Sequence, residues 1–317
     1  MSPKITLSAL EKYVRLTNYL SVAQIYLRDN IFLERPLCFD DIKPRLLGHW
    51  GTCPGINLVY AHLNRLAVIN SAKMMLLVGP GHGFPAIQSN LFVEGSLSHF
   101  YPEKIAYTKA GIREICENFS APYGHPSHAN PEAPATILEG GELGYSLSVA
   151  YGAALDHPDL IVSCLVGDGE AETGPLAAAW QINKIFDPRD NGAVLPIIHL
   201  NGYKISGPTC FGRMDNNEMH SLFTGYGYHP LVVDYHETEN LQASLAVAMD
   251  QAYQEIRFIQ KKARAGDKIV KPRWPLIVLR TPKGDTAPAY DGEKKLVGNC
   301  PSHQVLFSDV KKNKEHL

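Results

Sequence analysis

Two apolar runs, Leu160–Val166 and Val194–Leu200, each empty into a loop of small polar residues: Gly167-Asp168-Gly169 after the first, Asn201-Gly202 after the second. Short continuous apolar runs bounded by turn residues suit strands buried on both faces of a parallel sheet. A helix-length segment, Leu176–Phe186, lies between them. The alternation extends in both directions. Met74–Val78 ends in Gly79-Pro80-Gly81-His82-Gly83, and Gly140-Gly141-Glu142 leads into a small-residue helix, Leu143–Leu155. Leu231–Val233 reads as a short strand, Leu241–Ala265 as a long amphipathic helix and Leu276–Leu279 as a further strand. The sequence therefore predicts an α/β fold, a doubly wound parallel sheet with helices on both faces.

The flanks have a different texture. Ser8 with Glu11 has the spacing of a capping box, and Leu16, Tyr19, Leu20, Ala23 and Leu27 then recur at helical spacing. Leu37–Gly55 is polar and ends in a Pro-Gly turn, with a short helix, Asn57–Leu66, expected after it. Residues 94–136 read as a long loop region, and from Thr281 the chain turns polar and loses its periodicity. Three parts follow: an N-terminal helical and loop extension (1–70), the α/β domain (71–282) and a connecting arm (283–317).

Thirty Lys and Arg against 32 Asp and Glu leave a formal charge of −2, which argues against a dedicated nucleic-acid binder and against an acidic disordered chain. Charge-free apolar stretches such as Leu143–Leu155 fall short of a bilayer span, so no membrane association is expected. The six cysteines include no Cys-x-x-Cys pair, and Met-Ser-Pro-Lys does not open a secretory leader. A cytoplasmic protein is expected.

Ligands of open α/β sheets lie outside the carboxyl ends of the strands. Asp168 and Asn201 stand 33 residues apart, each directly after a strand, which is the length of one strand-helix-strand unit. Adjacent parallel strand ends would bring a carboxylate and an amide oxygen together, hard ligands of the kind Mg²⁺ takes. Gly167 and Gly169 would let backbone approach a phosphate. Taken alone, the tripeptide is better explained as a plain turn, and Asn201 at the next strand end brings the two readings level. A dinucleotide fingerprint fits worse, because the spacing to Gly174 is wrong and Asn201 stands where a ribose-reading acid belongs. His49, His82, His128 and His303 each sit in a loop rather than on a periodic face; singly each reads as a solvated histidine, and together they would form one pocket if their loops converge. Lys283 also follows a strand, either to hold a phosphate or as an ordinary solvated lysine.

The blocks LLGHWGTCPGINLVYAHLNR (46–65), GPGHG (79–83), EGGELGYSLS (139–148), DLIVSCLVGDGEAETGPLAAAW (159–180), DNGAVLPIIHLNGYKI (190–205), PRWPLIVLRTPKG (272–284) and SHQV (302–305) resemble the phosphoketolases, in order and over nearly the whole chain. The resemblance implies the thiamine-diphosphate-binding fold and cleavage of xylulose 5-phosphate or fructose 6-phosphate, with inorganic phosphate, to acetyl phosphate. It implies Mg²⁺ on Asp168, Asn201 and the Tyr203 carbonyl, and cofactor contacts from Gly140 or Gly141, Gly167, Gly169 and Lys283. His49, His82, His128 and His303 match histidines that bind the sugar and move protons. Phosphoketolases are longer, so pyrimidine-binding and C-terminal domains, or a separate subunit carrying them, are expected as partners in a homo- or hetero-oligomer, and the isolated chain is expected to be inactive. The family has Gly where Phe84 stands, His at Leu138, Trp at Asp285 and Phe-Arg at Cys300-Pro301. Phe84 is expected to add bulk near the cofactor and Leu138 to remove a polar group. These departures leave an alternative open: a non-catalytic or truncated thiamine-diphosphate-binding relative with a regulatory or vestigial role.

Overall fold

The computed structural model of the chain describes residues 5–134, 136–267, 269 and 271–317. Helix α1 (Leu7–Tyr26) is followed by α2 (Cys53–Asn70), strand β1 (Met74–Val78), α3 (Phe84–Val93), α4 (Ser96–Phe100), α5 (Lys109–Glu117) and α6 (Ser146–Leu155). Then come β2 (Ile161–Gly167), the single turn α7 (Asp168–Ala171), α8 (Gly174–Ala179), β3 (Ala193–Leu200), α9 (Asn216–Tyr226), β4 (Tyr228–Asp234), α10 (Leu241–Arg264) and β5 (Trp274–Arg280).

The five strands are all parallel, in the order β1-β2-β3-β5-β4. Every residue of β3 is buried, as a strand covered on both faces requires. Pro196 is tolerated inside it because β5 pairs with β3 only from Ile197 onward. On one face α6 packs over β2 and β3, and Trp180 stacks edge-on against Phe223 of α9 and Tyr228 of β4. On the other face α2 and α10 pack on the sheet and on each other, joined by a two-pronged Arg65–Asp250 ion pair with its shorter contact at 2.7 Å. The α/β layering and the parallel sheet are those expected, and the order places the ends of β1, β2, β3 and β5 in one row.

The differences have local causes. Helix α2 starts at Cys53, not Asn57: Pro54 lies in its first turn, where a missing N–H costs nothing, so Pro-Gly is not a turn here. Thr6 rather than Ser8 caps α1, accepting from the Ala9 N–H at 3.2 Å, and Leu16 points to solvent while Leu10 and Val14 are buried. Residues 94–136 contain α4 and α5, whose few turns carry too few buried positions to announce themselves. The run 176–186 is no single helix, because α8 tightens into a 3₁₀ turn at Trp180–Lys184. Residues 283–317, expected as an arm, bond back onto the body. The Trp50 and Gly51 N–H groups donate to the carbonyls of Gln304 and His303, the Phe307 N–H donates to the Tyr26 hydroxyl, and Leu296 and Val310 are buried. Among the described residues no helix is long and apolar enough to cross a membrane.

Candidate active site

The strand order decides what meets at the carboxyl end of the sheet. β2, β3 and β5 are neighbours, so the residues just past their ends, Asp168, Asn201 and Lys283, line one cleft of about 330 Å³. His82 reaches it from the turn after β1, and His49, His128 and His303 from three separate loops. Gly140, Gly141, Gly167, Gly169 and Tyr203 also line it. The structure thus brings together every candidate catalytic, cofactor and metal residue named from the sequence.

Asp168 is buried, at 3% exposure, and held by three donors. Its Oδ2 accepts the Gly202 N–H at 2.6 Å and the Thr209 hydroxyl at 3.0 Å, and Oδ1 accepts the Gly169 N–H at 2.9 Å. Burial raises its pKa, opposed by the Gly202 N–H, the Lys283 charge and the other donors. Lys283, 2% exposed, donates to the Tyr203 carbonyl at 2.7 Å and to Asn201 Oδ1 at 3.4 Å. Burial lowers its pKa to about 8, with Asp168 acting against the shift. It is no solvated lysine. The carboxylate, the amide oxygen and the backbone carbonyl form an all-oxygen donor set suited to a hard divalent cation. No cluster of three His, Cys, Asp or Glu suited to a metal exists among the described residues.

The four histidines form one cluster. Ring centroids of His49 lie 5.0 Å from His82, 5.3 Å from His128 and 5.4 Å from His303, and His82 stacks on His303 at 5.3 Å. Burial lowers all four, His49 to about 4 and His303 to about 3, with Lys283 adding to the effect on His49, His82 and His303. At neutral pH they are neutral imidazoles. Nδ1 of His49 and of His303 is buried with no hydrogen-bond partner in the protein.

Glycines set the walls. A Cβ on Gly140 would meet the Gly81 Cα at 2.7 Å, so these two backbones touch only because both residues lack side chains. A Cβ on Gly167 would meet nothing closer than 3.6 Å, and one on Gly141 nothing closer than 4.0 Å; protein packing asks for glycine at neither.

Sequence reasoning missed the layer beneath. Glu170 is buried and accepts from the Ser146 hydroxyl at 2.6 Å and from the Gly144 and Gly167 N–H groups, fastening the β2 end to the start of α6. A Cβ on Gly79 would collide with it, so Gly79 was its only outward sign. His199 spans from the Thr52 hydroxyl (3.3 Å) to the Thr281 hydroxyl (2.9 Å), and Gly55 leaves it room. Phe84, expected to crowd the cleft, is instead in the core at 2% exposure and does not line it. Leu138 lines a different, apolar cleft beside β1. Asp285 is half-buried and also outside the cleft lining.

Comparison with known proteins bears on the family and the fold. The family model described as the XFP N-terminal domain matches residues 2–317. Proteins named "Probable phosphoketolase" from Bradyrhizobium diazoefficiens and Rhodopirellula baltica are 53% and 52% identical to the chain over 98% of its length. One from Chlorobaculum tepidum is 48% identical over 100% of it. The chain spans about two fifths of the length of these curated relatives, 39%, 39% and 40%. Among solved structures, transketolase from Leishmania mexicana superposes with a TM-score of 0.62 at 15% identity, over 98% of this chain and 40% of that one. Transketolase from Campylobacter jejuni gives 0.60 at 18%, over 97% and 42%. These likenesses show a shared fold. The chain belongs to the phosphoketolase family and corresponds to the N-terminal part of its members.

Proposed function

We propose that the chain is the diphosphate- and metal-binding part of a phosphoketolase, acting with thiamine diphosphate and Mg²⁺ on xylulose 5-phosphate or fructose 6-phosphate, with inorganic phosphate, to give acetyl phosphate. The observation that carries this reading is the meeting of Asp168, Asn201 and the Tyr203 carbonyl at the ends of two adjacent parallel strands, with Lys283 bonded into the same oxygens. Asp168, Asn201 and Tyr203 would hold Mg²⁺, and Gly140, Gly141, Gly167 and Gly169 would admit the diphosphate to the backbone. That a Cβ on Gly167 or Gly141 would make no more than ordinary contacts supports that assignment, since packing does not require glycine at either.

When bound, thiamine diphosphate supplies an electron sink for carbon–carbon cleavage. The chain's own residues supply proton management. His49, His82, His128 and His303 are held neutral by burial, so each can accept a proton at one ring nitrogen while donating from the other. His49 and His303, which line the cleft, would bond sugar hydroxyls.

The remaining three fifths of a phosphoketolase is needed for turnover in this reading, in further domains or a separate subunit, within an oligomer. The location of Phe84 and Leu138 outside the cleft favours a working site over a vestigial one. The test is acetyl phosphate formation, trapped as the hydroxamate, from xylulose 5-phosphate, phosphate, Mg²⁺ and thiamine diphosphate. It is run on the chain alone and on what co-purifies with it from its own cells. Activity in the co-purified sample, abolished by Asp168→Ala, is expected; silence from folded, cofactor-loaded samples would contradict the reading.

A further inference from the structure

Two of the three oxygens assigned to the metal are in use by a side chain of the protein itself. The Lys283 ammonium donates to the Tyr203 carbonyl at 2.7 Å and to Asn201 Oδ1 at 3.4 Å. It is not a mobile surface group. Lys283 is 2% exposed, and its stem runs under Gly51, where a Cβ would stand 3.0 Å from its Cε. Its backbone carbonyl accepts from the Gly298 N–H at 2.8 Å and the Ser302 hydroxyl at 3.1 Å, so the root of the side chain is anchored.

A divalent ion coordinated by these oxygens and an ammonium bonded to them exclude each other, by contact and by charge. The Asp168 carboxylate, held in place by Gly202 and Thr209, is balanced by one lysine. A metal arriving alone must displace the ammonium and adds positive charge to a buried site whose other carboxylate, Glu170, is already engaged by Ser146, Gly144 and Gly167. A diphosphate arriving with the metal restores the balance and offers the displaced ammonium a new partner on the cleft side, which Lys283 already lines.

We propose that Lys283 is an internal counter-cation that holds the metal oxygens and must be drawn off them by the diphosphate, so that metal and diphosphate bind as a coupled pair rather than independently. This rests on the reading that Asp168, Asn201 and Tyr203 hold the metal. Lys283 is then a positioning residue that sets the coupling between metal and diphosphate as well as contacting the diphosphate.

The test uses Mn²⁺ as a spectroscopic stand-in for Mg²⁺, with free Mn²⁺ followed by electron paramagnetic resonance in the presence and absence of thiamine diphosphate. In the wild-type chain Mn²⁺ is expected to bind weakly alone and strongly with the diphosphate. Lys283→Met should tighten binding of Mn²⁺ alone by about tenfold and shrink the gain from the diphosphate by a similar factor, since coupling is reciprocal. Lys283→Gln, also neutral, should behave alike, and guards against a Met variant that folds poorly. Both neutral variants binding Mn²⁺ alone no more tightly than wild type, while still losing Mn²⁺ on Asp168→Ala, would overturn the counter-cation role and leave the metal site intact. Mn²⁺ binding with the diphosphate that is unchanged in Asp168→Ala would overturn the metal assignment, and the proposal with it.

Discussion

The Asp168 carboxylate accepts the Gly202 N–H at 2.6 Å, so the end of β2 is tied to the turn that leaves β3. Gly202 adopts φ +84°, a left-handed conformation that turns the chain here at little steric cost only for glycine. This bond extends, past the ladder that ends at Gly167 and His199, the link between the two strand ends on which the metal assignment depends. The Thr209 hydroxyl, fully buried and 3.0 Å from the same oxygen, locks the carboxylate rotamer from the far side.

Thr209→Val keeps the shape of that support and removes its donor. A hydrogen bond to a charged group contributes about 1.5–3 kcal/mol, so Mg²⁺-dependent diphosphate binding should weaken roughly tenfold or more. Calorimetric titration measures it, and an unchanged affinity in a folded variant would show that Asp168 needs no such support.

Glycines that look alike in the sequence should separate on substitution. Gly140→Ala drives a Cβ into the Gly81 backbone at 2.7 Å and should destabilise the fold by about 1–3 kcal/mol. Gly167→Ala, with 3.6 Å of room and an extended backbone, should leave the urea midpoint nearly unchanged yet weaken diphosphate binding. Equal stability losses in the two would contradict the division between packing glycines and ligand glycines.

Acidification through about 6.5 should destabilise the chain through its buried histidines. The folded-state values of His49, His62, His125, His199 and His303 are depressed by burial to about 3–4, and those of His82 and His128 are also lowered. Between those values and about 6.5 the unfolded chain binds protons that the folded chain refuses, so stability falls as pH drops through 6.5. His316, raised by Asp309 and Asp291, runs the opposite way, and so do Asp168, Glu170 and Asp285, whose protonated forms burial favours. Urea midpoints at pH 7.5 and 5.5 check the sum; equal midpoints would mean that the cluster is wetter than its burial indicates.

The same neutral cluster predicts proton uptake on binding an anion. A phosphate or sugar phosphate brought beside His49, His82 and His303 favours their charged forms. Titrating phosphate into the chain at pH 6 in buffers of different ionisation enthalpy should report uptake of protons, lost in His49→Gln with His303→Gln. No buffer dependence would place the anion elsewhere.

How much of this was legible follows from the kind of signal each residue leaves. The β2, β3 and β5 segments are apolar runs closed by turn residues; Asp168 and Asn201 come directly after the first two and Lys283 three residues after the third, so all three could be placed from the strands alone. Their convergence was a matter of strand order, which periodicity does not encode. The histidines needed the resemblance, because four loops far apart in sequence carry no mark of shared destination. Glu170 and His199 left their traces on other residues, as the glycines that make way for them. The return of 283–317 was hidden because it is built from backbone bonds at Trp50 and Gly51 and a few buried side chains such as Leu296 and Val310. Phe84 was misplaced for the reverse reason: proximity to His82 in sequence says nothing of direction, and α3 turns its ring into the core.

The central claim is that Asp168, Asn201 and the Tyr203 carbonyl hold a metal that in turn holds the diphosphate. Calorimetric titration of the chain with thiamine diphosphate, with Mg²⁺ and then with the Mg²⁺ replaced by EDTA, tests it most directly. The account predicts saturable binding that needs Mg²⁺ and disappears in folded Asp168→Ala. Binding of equal strength in EDTA, or undiminished in Asp168→Ala, would contradict it.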